Sequence, residues 1–140
     1  MRRFTCSTLF VVALASGFWA CSNDTPVTSI VKPSDTTESF SGTLTPNGAQ
    51  TFPFATTGAG MIAATLSAVT PDSAVQIGLS LGTWNAATGT CQVIIANDKA
   101  TQGVSVTGTG TAASAFCVRV YDALGSLTGN EAITVTVVHP

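Results

Sequence analysis

The chain has 140 residues, enough for one domain behind a processed leader and long enough to bury a single core without a metal or a partner subunit. Only 9% of its residues are Asp, Glu, Lys or Arg, against roughly 25% in typical soluble domains, and threonine, serine, alanine and glycine fill the gap. Beyond Arg2 and Arg3 the cations are Lys32, Lys99 and Arg119, set against seven acids; three scattered cations cannot neutralise a phosphate backbone, so nucleic acid is not an expected partner.

Met1-Arg2-Arg3 precedes an apolar run through Leu9, Phe10, Val11, Val12, Ala13 and Leu14 to Ala20, the charged-then-apolar order of a bacterial export signal. The run is too short for a membrane span and has no polar face with which to pack as a surface helix. Residues 1–20 are therefore expected to be a signal peptide, 21–37 a tether and 38–140 the folded domain. Two readings of the cut stand. Ala20-Cys21-Ser22-Asn23-Asp24 resembles a bacterial lipoprotein junction, in which Cys21 becomes the lipid-bearing first residue and Ser22 directs the protein to an outer membrane. Cleavage after a small-x-small triplet such as Ala13-Leu14-Ala15 or Ala15-Ser16-Gly17 would instead leave a soluble periplasmic or secreted protein. The lipid anchor is preferred, because the polar stretch after Cys21 reads as a tether; it would be the only membrane contact.

After a Thr/Ser/Pro-rich segment without periodicity, short alternating runs recur with turn residues between them. Phe40 and Leu44 share a face, and Pro46-Asn47-Gly48 turns the chain. Phe52 and Phe54 flank Pro53, which cannot donate to a ladder and marks an edge strand. Gly58-Ala59-Gly60 leads into Ile62, Ala64 and Leu66. Pro71-Asp72-Ser73 leads into Val75, Ile77, Leu79 and Leu81 facing inward, with Gln76, Gly78 and Ser80 outward. Val93 and Ile95, then Val104 and Val106, mark two further strands. The run from Ala113 to Asp122 sets Phe116, Val118 and Val120 against Cys117, Arg119 and Tyr121, and Ile133, Val135 and Val137 complete about eight strands. No stretch keeps a helical period. The expected fold is all-β, a two-sheet antiparallel sandwich of jelly-roll or Greek-key kind.

Cys91 and Cys117, 26 positions apart in a chain bound for an oxidising compartment, are expected to form a disulfide. Closing that loop stabilises a fold by about 3 to 4 kcal/mol.

Phe40-Ser41-Gly42-Thr43-Leu44, the Phe52-x-Phe54 strand, Gly60 leading to Leu66, Asn97-Asp98, Phe116-Cys117-Val118-Arg119-Val120 and Ile133-Thr134-Val135-Thr136-Val137 together resemble the bacterial pre-peptidase C-terminal (PPC) domain, a small sandwich that follows secreted peptidases. The resemblance covers most of residues 38–138. It departs from the family at Asp72-Ser73-Ala74-Val75, where a second acid is usual. It implies a non-catalytic accessory or binding role for an exported protein, with an unidentified protein or glycan as surface ligand.

Asp72, Asn97, Asp98 and Asp122 fall at strand ends, where hard oxygen ligands could gather around calcium; the alternative is that they close Asx turns with their own backbone. No cofactor is expected. A Ser-His-Asp site would need His139, one residue from Pro140 and without evident support, so no catalytic residue is assigned. Trp84, at the end of a strand, is a candidate sugar- or peptide-stacking residue, or packs over the Cys91 end of the core.

Overall fold

The computed structural model describes residues 34–140; the expected signal peptide, Cys21 and most of the tether lie outside the described residues. Eight strands account for the alternating runs: Thr36–Leu44 (β1), Ala49–Ala55 (β2), Gly60–Thr70 (β3), Ile77–Asn85 (β4), Thr90–Ala100 (β5), Ser105–Gly110 (β6), Ala115–Tyr121 (β7) and Glu131–His139 (β8). The described residues contain no helix. Thr36 and Thr37, expected in the tether, already belong to β1.

The strands form two four-stranded sheets, in the orders β1-β8-β3-β6 and β2-β7-β4-β5. β1 pairs with β8, β2 with β7, β3 with β6 and β4 with β5, all antiparallel. The β3–β8 and β4–β7 ladders join these pairs into the two sheets. This is one long hairpin rolled up on itself, the jelly-roll arrangement. Between the sheets lie Leu44, Ile62, Leu66, Val106, Ile133, Val135 and Val137 from the first, and Phe54, Ile77, Leu79, Leu81, Phe116, Val118 and Val120 from the second. Along a strand the inner residues recur at every second position, as in Ile133, Val135 and Val137, because a strand turns successive side chains to opposite faces.

Local chemistry sets the turns and edges. Thr45-Pro46-Asn47-Gly48 closes with Gly48 N–H donating to Thr45 O at 2.8 Å, and Asn47 takes a φ of 56°, the left-handed region that asparagine tolerates. Pro53 lies in β2, an edge strand, as its missing N–H requires. On that side the sandwich is closed by Phe40 stacking on Phe52 with ring centroids 5.5 Å apart.

The outer face of the first sheet is a field of hydroxyls. Ser41 meets Thr134 at 3.0 Å, Thr65 meets Ser105 at 2.7 Å, and Thr136 donates to Ser67 at 3.1 Å. The low charge and high Ser/Thr content of the chain are therefore spent on cross-strand hydroxyl pairs rather than ion pairs.

The facing follows the expected alternation, and the structure adds three details of burial and strand bounds. Gly78 and Ser80 do face outward but are fully buried, because Tyr121 lies over Gly78, and Ser80 donates to Arg119 O at 3.3 Å. Val75 precedes β4 and packs against the core from a turn, and Val104 likewise precedes β6. Val93 and Ile95 lie in a strand, yet each stays about two-fifths exposed, at 42% and 41%.

Candidate functional site

The outer face of the second sheet holds most of the residues singled out from the sequence. Cys117 on β7 and Cys91 on β5 form the expected disulfide. β4 lies between those two strands, and strands two apart in a flat sheet are separated by roughly 9 to 10 Å. The two Cα atoms are only 5.8 Å apart. β5 therefore curls over the outer surface of β4. Gly82 permits this, since a Cβ there would overlap the carbonyl of Gln92 and crowd the Cα of Val93. The register jumps between Leu81 and Gly82, a bulge that adds strand twist where the curl begins. Cys117 is fully buried beneath this hairpin tip.

Trp84 pairs with Cys91 across the ladder and is half-buried, so its ring belongs to the curled tip beside the disulfide. Further along the same face, Tyr121 donates its phenolic hydrogen to Asp98 Oδ1, and the Arg119 guanidinium sits 4.8 Å above the Tyr121 ring. Burial first, and then the Asp98 carboxylate, push the Tyr121 phenol up to about 12, although Arg119 pulls the other way.

Each of the four oxygen-bearing candidates for calcium has a protein contact. Asp72 Oδ1 accepts from Ala74 N–H at 2.9 Å, and Asn97 Oδ1 from Lys99 N–H at 3.0 Å, both Asx turns. Asp98 accepts from Tyr121. Asp122 accepts from Asn47 N–H and Ser126 N–H, both at 3.0 Å, and from Leu127 N–H at 3.4 Å, gathering the β1–β2 and β7–β8 loops. The Asn47 bond, with those from Ser126, Leu127 and Gly125, holds the Asp122 carboxyl below the usual carboxylate range. Among the described residues no three of His, Cys, Asp and Glu come together as a metal-holding group.

His139 is better supported than its place in the sequence suggested. It is the last residue of β8 and is buried, its ring lies 5.1 Å from that of Phe54, Nε2 meets Glu38 Oε1 at 3.0 Å, and Nδ1 meets Pro140 O at 3.1 Å. Both ring nitrogens thus lie against protein oxygens. The pair ties β1 to β8.

What the fold leaves uncommitted is the free edge of β5. Ile94, the extra residue that the register jump between Leu81 and Gly82 leaves unpaired, is 67% exposed, and with Val93 and Ile95 it makes a continuous apolar run on the last strand of the second sheet. Beside it opens a cleft of about 280 Å³ lined by Thr83, Ile94, Thr109, Phe116 and the 111–114 loop. Thr56 holds that loop in place: its N–H donates to Ser114 O at 2.9 Å, and its hydroxyl accepts from Ser114 N–H at 3.2 Å. Sequence reading placed Val93 and Ile95 in a strand but gave no signal that their strand would be an edge. The chain matches no protein-family profile, and no curated protein is significantly similar to it.

Proposed function

We propose that this protein is an exported, non-catalytic binding module of the accessory type, working at the bacterial cell surface or in the periplasm and held to the outer membrane through Cys21. The observation that carries the reading is the division of labour among side chains. Asp72, Asp98, Asp122 and His139 are all tied into turns and cross-strand contacts. The apolar run Val93-Ile94-Ile95, beside a cleft without charged residues, instead leaves much of its side-chain surface in solvent. Contiguous exposed apolar side chains on a small domain mark a surface that meets a partner. The likeness of the strand and turn pattern to the PPC domain supports the same role.

The test pairs binding with turnover. The purified chain is expected to co-sediment with insoluble cell-envelope material and to leave ester, glycoside and peptide substrates unchanged. Turnover that disappears in Asp98→Asn or Asp122→Asn would overturn the reading. The mass of the mature N-terminus tests the anchor: a lipid-modified Cys21 is expected, and an unmodified chain starting at an earlier small residue removes that part.

A further inference from the structure

An exposed strand edge carries a row of unpaired backbone N–H and C=O groups, and proteins normally blunt it with charge, bulges, proline or a covering element. β5 is guarded at one end only. Asn97 Oδ1 takes the Lys99 N–H, and Lys99 and Asp98 place the strand's only charges there. From Gln92 to Ala96 the edge is uncharged, carries Val93, Ile94 and Ile95, and no strand of the described residues lies beyond it. The bulge has re-aimed Ile94 toward the cleft rather than away from it.

The cleft limits the occupant by size and charge. At about 280 Å³ it falls at or below the ~300–1,000 Å³ of sites that engulf a small molecule, and suits one apolar side chain. Its lining of Thr, Ala, Gly, Ser, Ile and Phe holds no charged group. Arg119 is occupied by the Tyr121 ring, whereas Lys99 is exposed and meets no carboxylate of the described residues. An uncharged apolar stretch followed by one free cation is complementary to an uncharged apolar strand followed by one carboxylate.

Resting on the binding-module reading, we infer that β5 is a docking edge for an extended peptide segment of another protein, which adds as a fifth strand to the second sheet. It places one apolar side chain in the cleft beside Ile94 and an acidic residue against Lys99. Backbone pairing supplies the affinity and the cleft the selectivity. The free edge from Gln92 to Ala96 admits a partner strand of about five residues.

The probe is a capped synthetic octapeptide that alternates threonine with valine or isoleucine and ends in glutamate, titrated into the whole exported chain and followed by backbone amide NMR. Shifts and hydrogen-exchange protection are expected at Gln92–Ala96 and at Thr109–Ser114. Ile94→Asp, a change at an exposed site that folding tolerates, is expected to weaken binding at least about tenfold. Met61→Asp, equally exposed on the other sheet at 66%, is expected to leave it unchanged. N-methylation of alternate peptide amides is expected to abolish binding, and Lys99→Glu to favour a peptide ending in lysine. Shifts centred on Trp84 or the hydroxyl face, binding indifferent to Ile94→Asp, or no binding up to the peptide's solubility would each overturn the inference. So would sedimentation showing an Ile94-dependent dimer, which assigns the edge to a second copy. Envelope binding that survives Ile94→Asp sinks the docking edge and spares the binding module; loss of envelope binding by the unaltered chain sinks the module itself.

Discussion

The carbonyl of Gln92 rests against the bare Cα of Gly82, and that contact lets β5 fold over β4 until Cys91 reaches Cys117. The disulfide depends on this approach, because β4 lies between β5 and β7 and the two cysteines could not otherwise come within reach.

Replacing Gly82 with alanine should therefore cost about 1–3 kcal/mol or more, since backbone rather than a flexible side chain occupies the space. Gly89 is the control. It has a φ of 63° with nothing nearby, so Gly89→Ala should cost about 1 kcal/mol through backbone conformation alone. Urea midpoints of the two variants check the difference, and equal midpoints would mean that β5 does not lie against β4 here.

Cys91→Ser combined with Cys117→Ser should lower stability by about 3 to 4 kcal/mol. The amides of the β4–β5 tip should lose hydrogen-exchange protection first, while those of β7 and β8 hold to the global limit. Alkylating the denatured, unreduced protein and mapping the label should find neither cysteine modified.

Tyr121 is the sole tyrosine, so ultraviolet titration reads it directly, and the expected midpoint is about 12. Asp98→Asn should bring it down toward 10, the ordinary value. A phenol whose pKa is raised on folding contributes stability that is complete below 10 and is lost as pH rises from there through about 12. Alkaline unfolding should therefore be steeper in the unaltered chain than in Tyr121→Phe, measured as the change in melting temperature across that window.

Asp122 works in the opposite direction. Its carboxyl is held below the usual 3.8, so its contribution is complete above that pH and is lost as pH falls through the lowered folded value. Asp122→Ala should cost roughly 1–2 kcal/mol near neutrality, because three backbone N–H donors lose a partly exposed acceptor, and far less in strong acid. Chemical denaturation at the two pH values checks this, and a cost independent of pH would show that the carboxylate is not the acceptor.

Much of the architecture could be read without coordinates, because period-two alternation states which residues share a face. Phe116, Val118 and Val120 had to face together, Pro53 had to lie on an edge, and the two cysteines of the folded body were expected to meet, as they do. The turn at Pro46-Asn47-Gly48 and the role of Asp72 and Asn97 in Asx turns follow from equally local chemistry.

Alternation cannot say what covers an outer face or which strand ends a sheet, since both depend on residues far away in the chain. Tyr121 covers Gly78 from a strand more than forty positions later, His139 gains its support from Glu38 across β1, and Val93, Ile94 and Ile95 remain in solvent only because no ninth strand of the described residues follows β5. The sequence by itself thus determined eight strands, their inner faces and the bridge. Only the tertiary structure decided that β5 would be an edge and Ile94 its exposed bulge, because pairing order is a long-range property that no local pattern of hydrophobicity encodes.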